Sequence, residues 1–320
     1  MGFALNIILS AAGLALLIKC ADVFVEGSAS FARNIKVPTT VIGLTIMAFG
    51  TSSAEMAISF SSRLKGNTDV MFGSIIGSSI SNIFVILAIA VLITPFSIRN
   101  EIIRKQIPIM MLVVLSFSVM FLDTLFDSAA VNMLSRADSI VLLLIFCIFV
   151  YYLMTIIHKK KAAGQVDEPP KYKVFRSIVM VVLGLGGVIL GSELLVENLV
   201  EIASFIGISD KIITITIIAI GTSSPELVTT VVAAKKGEND IAIGNIIGTQ
   251  IFNICVVLGL PVIIFGEVDT LSYNVVDISF MILAVGMLWI FSAAGRRLRR
   301  FEALIFIAMY GVYAAYAVMQ

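Results

Sequence analysis

Glu55 and Glu226 carry the most chemistry in this chain, because each lies inside a long apolar run with no basic residue near its middle. Each follows a threonine by four residues, Thr51 before Glu55 and Thr222 before Glu226. A four-residue step on a helix returns to the same face, so hydroxyl and carboxylate point the same way. The spacing recurs further on as Ser78 with Asn82 and as Thr249 with Asn253. These residues together offer two carboxylates, two amides and several hydroxyls. Oxygen-only ligands select hard cations such as Na⁺ and Ca²⁺. Two ionised carboxylates balance one Ca²⁺, or hold it in competition with two or more Na⁺. Left side by side without a cation, two carboxylates also compete for a proton, which makes H⁺ a further candidate. The plain alternative is that the hydroxyls bond back to their own helices and the two acids form a buried structural pair. A duplicated Gly-Thr-Ser-Ser-x-Glu cassette favours function, because a charge at the centre of a membrane helix costs about 2.5–3.5 kcal/mol.

The residues around the acids point to interrupted helices. Gly50 and Gly221 lie mid-run, and Pro225 stands just before Glu226. Gly and Pro inside a spanning helix mark places where the backbone kinks and its carbonyls become available to ions, here those of Ala48 and Ala219. Ala54 replaces the proline in the first copy, which predicts a milder break there. Gly73, Gly77, Gly244 and Gly248 are expected to let helices approach closely.

What must position these residues is a membrane bundle. The chain has 320 residues, 59% of them apolar and 13% charged, against roughly 25% charged in an ordinary soluble domain. Long apolar windows fall at about 4–24, 37–62, 70–94, 107–122, 138–157, 175–200, 210–234, 240–265, 274–293 and 301–319. They predict an all-α polytopic membrane protein of ten transmembrane helices. The segment 158–174, HKKKAAGQVDEPPKYKV, lacks membrane character and reads as a cytoplasmic linker. It divides the chain into membrane repeats at 1–157 and 175–320. The start Met1-Gly2-Phe3 has no positive region, and no small-residue cleavage site stands out after the first run, so a removed signal peptide is not expected. A net charge of +1 argues against nucleic acid as a partner. Cys20, Cys147 and Cys255 read as small apolar residues.

Shifted by 171 residues, 41–84 falls on 212–255 without a gap. The match covers Gly50-Thr51-Ser52-Ser53 on Gly221-Thr222-Ser223-Ser224, Lys65-Gly66 on Lys236-Gly237, and Asn82 on Asn253. Carried backwards, it pairs Asp22 with Glu193 and Glu26 with Glu197, acids that could line ion entrances. Five helices per copy is an odd number, so the second copy must enter the membrane from the other side. Such inverted repeats are a signature of secondary transporters, with the site near the midplane between them. Alternate loops hold 17 of the 22 basic residues, which predicts that they are cytoplasmic and that both termini face outside.

The paired motifs, Gly50 to Glu55 with Gly73 to Asn82 and Gly221 to Glu226 with Gly244 to Asn253, resemble the cation/calcium exchanger superfamily, in particular its compact prokaryotic sodium/calcium exchangers. The resemblance extends over essentially the whole chain. It implies one Ca²⁺ site and several Na⁺ sites among the second, third, seventh and eighth helices. The ligands it implies are Ala48 (carbonyl), Thr51, Ser52, Glu55, Ser78 and Asn82 from the first repeat, and Ala219 (carbonyl), Thr222, Ser223, Glu226, Thr249 and Asn253 from the second. It also implies that the first and sixth helices slide as a gate past a more rigid body. Departures are Ala54 in place of proline, Ser53 and Ser224 in place of leucine, and Asn253 where several relatives have aspartate.

The expected activity is therefore secondary-active exchange of Ca²⁺ for Na⁺ in a cell (inner) membrane, with no enzymatic reaction and no cofactor beyond the transported ions. Ca²⁺/H⁺ exchange is the alternative within the class, and a cation channel the alternative outside it.

Overall fold

A computed structural model describes residues 3–126, 132–162, 169–206, 219–269 and 275–319, and these are mostly helical. A bilayer offers the backbone no water, so each apolar run closes its hydrogen bonds within itself as a helix. The main helices are α1 (Phe3–Asn34), α2 (Thr39–Thr51), α3 (Ser53–Leu64), α4 (Thr68–Ile93), α5 (Ile102–Phe121), α6 (Arg136–Ala162) and α7 (Val174–Phe205). They continue as α8 (Ala219–Thr222), α9 (Ser224–Lys235), α10 (Asn239–Phe265), α11 (Val275–Gly295) and α12 (Arg300–Met319). Among the described residues, seven helices are long and apolar enough to cross a membrane, or eight when α2 and α3 are taken as one span bent by 44°. Of the ten expected spans, the one at 210–234 begins within 207–218, outside the described residues, and its remainder is α8 and α9. The expected span at 301–319 coincides with α12. Helix α6 continues to Ala162, so the polar linker at 158–174 starts as helix; residues 163–168 lie outside the described set.

Helices α4 and α10 form the centre, with 72% and 89% of their most apolar stretches buried, against 28% for α1 and 22% for α7. The exposed Leu144, Ile148 and Leu190 on α6 and α7 are what a lipid-facing surface requires. Two short antiparallel pairs join the halves. Strand β1 (Phe96–Ser97) pairs with β4 (Arg297–Leu298), and β2 (Met133–Leu134) pairs with β3 (Val268–Asp269). Arg99 bonds Asp240 at 2.8 Å, which puts the end of α4 beside the start of α10. Arg63 donates to the Gly266 and Glu267 carbonyls, which puts the end of α3 beside the end of α10. The two strand pairs therefore sit at opposite ends of the bundle.

Helices α1 and α7, 32 residues each, run antiparallel against one another along their length. Phe3 stacks on Phe205 at 4.8 Å, Asn6 Nδ2 donates to Glu201 at 2.7 Å, and Ser177 Oγ donates to Ser30 Oγ at 3.1 Å. Glycine makes this closeness attainable. A Cβ on Gly191 would lie 2.6 Å from the Leu17 backbone nitrogen, and one on Gly184 would lie 2.7 Å from that of Phe24.

The same arrangement holds the end of the linker. Tyr172 N donates to Ser30 Oγ at 2.9 Å, Asn34 Nδ2 donates to the Tyr172 carbonyl at 2.7 Å, and Lys171 pairs with Glu26. Bonding to Glu26 holds the Lys171 ammonium above its ordinary range. A raised lysine keeps its pairing until the pH climbs past that range, so this contact is intact at neutral pH.

Candidate cation-binding site

Both cassettes break at the same serine. Ser52 (φ −76°, ψ 7°) separates α2 from α3, and Ser223 (φ −92°, ψ 10°) separates α8 from α9. The near-identity of these angles shows that the break does not depend on Pro225. Proline sits in the first turn of α9, where its missing N–H leaves no hydrogen bond unmade. The break turns Glu55 and Glu226 into first-turn residues of α3 and α9, where carboxylates are favoured by the exposed N–H groups and the helix dipole. Ala48 O accepts from Ser52 N at 3.0 Å and from Thr51 Oγ1 at 3.4 Å. A carbonyl has two lone pairs, and the second contact is long, so acceptor capacity remains.

Opposite these breaks, α4 and α10 each change from α to π geometry at the predicted asparagine: Asn82–Leu87 in one, Asn253–Val257 in the other. A π turn leaves the regular hydrogen-bond ladder locally and is often found at functional positions. Asn253 Nδ2 reaches Ser78 Oγ at 3.5 Å, a contact between the two helices that joins ligands expected from opposite repeats. Glu55 and Glu226 lie near enough to repel one another, and the Thr51 side chain faces Glu226.

The structure thus brings Thr51 and Glu55 up to Glu226 and Ser78 up to Asn253, in each case from helices that are far apart in sequence. Ser52, Asn82, Ser223 and Thr249 are buried on the same breaks and helices. Thr222 closes α8, and Ala219 opens it.

The chemistry of the set lies in what it leaves open. Both carboxylate oxygens of Glu55 and of Glu226, Ser52 Oγ, Ser223 Oγ, Thr249 Oγ1, Asn253 Oδ1 and both amide atoms of Asn82 are buried without a hydrogen-bond partner among the described residues. Glu55 is 1% exposed and Glu226 0%. Buried carboxylates need a cation, a proton or several donors. Among the described residues no three His, Cys, Asp or Glu side chains are grouped so as to hold a metal ion between them, so the candidate donor set is mixed oxygen with two acids.

The close packing of this site rests on glycines, though not on all those expected. A Cβ on Gly248 would lie 2.6 Å from the Leu44 carbonyl oxygen and 2.7 Å from Ala48 Cβ. On Gly244 it would lie 2.9 Å from the Thr40 carbonyl oxygen. Among the described residues, nothing lies within 4 Å of a Cβ on Gly77, although it is the repeat counterpart of Gly248. Gly43, which no sequence motif singles out, belongs to the same crossing, with a Cβ contact of 2.7 Å to the Ile241 carbonyl oxygen. Its partner in the 171-residue shift is Thr214, so the duplication gives it no mark.

The sequence motifs also leave out the bridge from Asn245 to Thr230 at 3.1 Å, which ties α9 to α10 one turn from Glu226. Ser79 and Gln250, themselves paired by the 171-residue shift, are both buried with unpartnered side-chain atoms. That pairing was the available signal for the last two.

The sodium/calcium exchanger protein family matches residues 5–155 and 176–319. Inner membrane protein YrbG of Escherichia coli is 36% identical over 281 residues, covering 85% of this chain and 83% of that protein. The sodium/calcium exchanger MaX1 of Methanosarcina acetivorans is 26% identical over 337 residues, covering 95% of this chain and 96% of its own. A solved structure of the sodium-calcium exchanger NCX_Mj superimposes with a TM-score of 0.83 at 30% identity, over 98% of this chain and 99% of that one. With a family match across both halves and agreement in fold over nearly its whole length, this chain belongs to the sodium/calcium exchanger family of multi-pass membrane transporters.

Proposed function

We propose that the protein is a secondary-active antiporter that exchanges Ca²⁺ for Na⁺ by alternating access. In this reading, two inverted five-helix repeats, 1–157 and 175–320, are joined by the cytoplasmic linker 158–174, and both termini face outside. Placement in an inner membrane is supported by the likeness to the Escherichia coli inner membrane protein. Glu55 and Glu226 are the shared Ca²⁺ carboxylates. Ala48, Thr51, Ser52, Ser78 and Asn82, with Ala219, Thr222, Ser223, Thr249 and Asn253, supply the remaining oxygens for Ca²⁺ and Na⁺.

The observation that carries this reading is the pair of fully buried carboxylates whose four oxygens have no partner among the described residues. In proteoliposomes, ⁴⁵Ca²⁺ uptake should require an outward Na⁺ gradient and vanish in Glu55→Gln and in Glu226→Gln. Uptake that persists in both variants would remove the site assignment.

Ca²⁺/H⁺ exchange is a second reading, favoured by Asn253: with an amide there, the carboxylates of the set number two and compete for one proton between them. A pH step without Na⁺ would then drive uptake. Single-channel currents with no counter-ion requirement would sink both forms of exchange.

A further inference from the structure

Two turns of the chain have the same backbone and different company. Lys65 (φ −84°, ψ −2°) and Gly66 (φ 70°) end α3, while Lys236 (φ −81°, ψ −1°) and Gly237 (φ 76°) end α9. Each turn closes with matching hydrogen bonds, Gly66 N to Arg63 O at 3.2 Å and Gly237 N to Ala234 O at 3.1 Å. Both lysines thus sit at the far end of a helix whose first turn carries a site glutamate.

Lys236 is held by α1. Its Nζ lies 2.9 Å from Asp22 Oδ1 and 3.8 Å from Glu26 Oε2, and Glu26 also bonds Lys171. Next to it, Arg33 Nη2 bonds Glu238 Oε1 at 2.6 Å, with the two side chains only 18% and 17% exposed. One face of α1, carrying Asp22, Glu26 and Arg33, therefore grips the α9–α10 turn. The 171-residue shift places Glu193 and Glu197 of α7 at the positions of Asp22 and Glu26, and Lys65 at that of Lys236. These three are exposed, and among the described residues none of them has an ion pair.

We propose that Lys236 and Lys65 are positioning residues of the transport cycle: α1 grips Lys236 through Asp22 and Glu26 in the state seen here, and in the opposite state that grip opens while α7 grips Lys65 through Glu193 and Glu197. This rests on the inverted-repeat antiporter reading above. The physical reason for exclusivity is the glycine-lined packing of α1 on α7, so close that a displacement of one helix must be taken up by the other. A displacement that releases one end of the pair carries the other end towards its turn. The two grips are also unequal. At the counterparts of Arg33 and Glu238 stand Ser204 and Asn67, which carry no charge, and Lys171 has no counterpart in the first repeat. The state gripping Lys236 is accordingly the resting one.

The test uses the full-length transporter with Cys20, Cys147 and Cys255 replaced by alanine and with Leu64→Cys and Leu190→Cys added, exposed positions beside Lys65 and Glu193 that leave the proposed grip intact. Cross-linking by a short bifunctional thiol reagent reads the opposite state. Adding Lys236→Glu should raise the cross-linked fraction several-fold, and adding Asp22→Lys to that variant should bring it back down. A lysine that only stabilises the fold would lower the melting temperature of Lys236→Glu without moving the cross-linked fraction, and that result would overturn the proposal. So would the absence of any cross-link between positions 64 and 190 under every ion condition in protein that still transports. Failure of the ion assignment is read separately, because cross-linking reports the switch whichever ions drive it, whereas Na⁺-driven ⁴⁵Ca²⁺ uptake reports the ions.

Discussion

At the scale of single residues, charge is scarce in the centre of this bundle and therefore decisive. The two buried glutamates carry at most two negative charges between them, and Asn253 adds none. Ca²⁺ affinity rises with the number of charged ligands. Asn253→Asp is accordingly expected to lower the Ca²⁺ concentration giving half-maximal uptake several-fold, read from ⁴⁵Ca²⁺ uptake at varied Ca²⁺. The Ser78 hydroxyl receives the Asn253 amide and donates to the Ile75 carbonyl; turning that one hydrogen to an aspartate at 253 gives up the Ile75 contact and leaves no donor unmatched. The two acids and their threonine, serine and asparagine neighbours were all legible in the sequence, because a helical step of four and a duplicated cassette mark them. The bond from Asn253 to Ser78 was not, since a sequence carries no register between helices from different repeats.

At the scale of elements, the crossing of α2 on α10 is set by Gly43, Gly244 and Gly248, where the backbones meet with no room for a side chain. Gly248→Val should cost about 1–3 kcal/mol by forcing the helices apart, seen as a lower melting temperature in detergent. Gly77→Ala, where nothing among the described residues lies within 4 Å of the added Cβ, should change stability by no more than ~0.5 kcal/mol. Equal losses in the two variants would show that the repeats pack alike, against the difference between Gly77 and Gly248. A sequence treats the two glycines as equivalent, and only the packing distinguishes them. The helix breaks show the reverse. Gly50 and Gly221 marked them in advance, and the break forms at Ser52 with Ala54 in place of proline as it does at Ser223 beside Pro225, with similar backbone angles at the two serines.

At the scale of the whole molecule, loops from both halves collect at each end, pinned by β1 with β4 and by β2 with β3. Arg33, Arg99, Lys171 and Lys236 gather at one end, the end that the distribution of basic residues predicts to be cytoplasmic. In right-side-out vesicles, Lys65→Cys should be labelled by a membrane-impermeant maleimide and Lys235→Cys only after permeabilisation; the opposite pattern would reverse the orientation.

Composition alone determined that the chain lives in a bilayer, because so many apolar residues cannot be hidden in a soluble domain of this length. The 171-residue shift determined that it is built twice around a pair of acids. Only the tertiary structure decided that Gly248 packs against Leu44 and Ala48 and that Lys236 and Arg33 are held by ion pairs. The two copies share their motif residues but not most of their sequence, and it is their mutual packing that gives corresponding residues different surroundings.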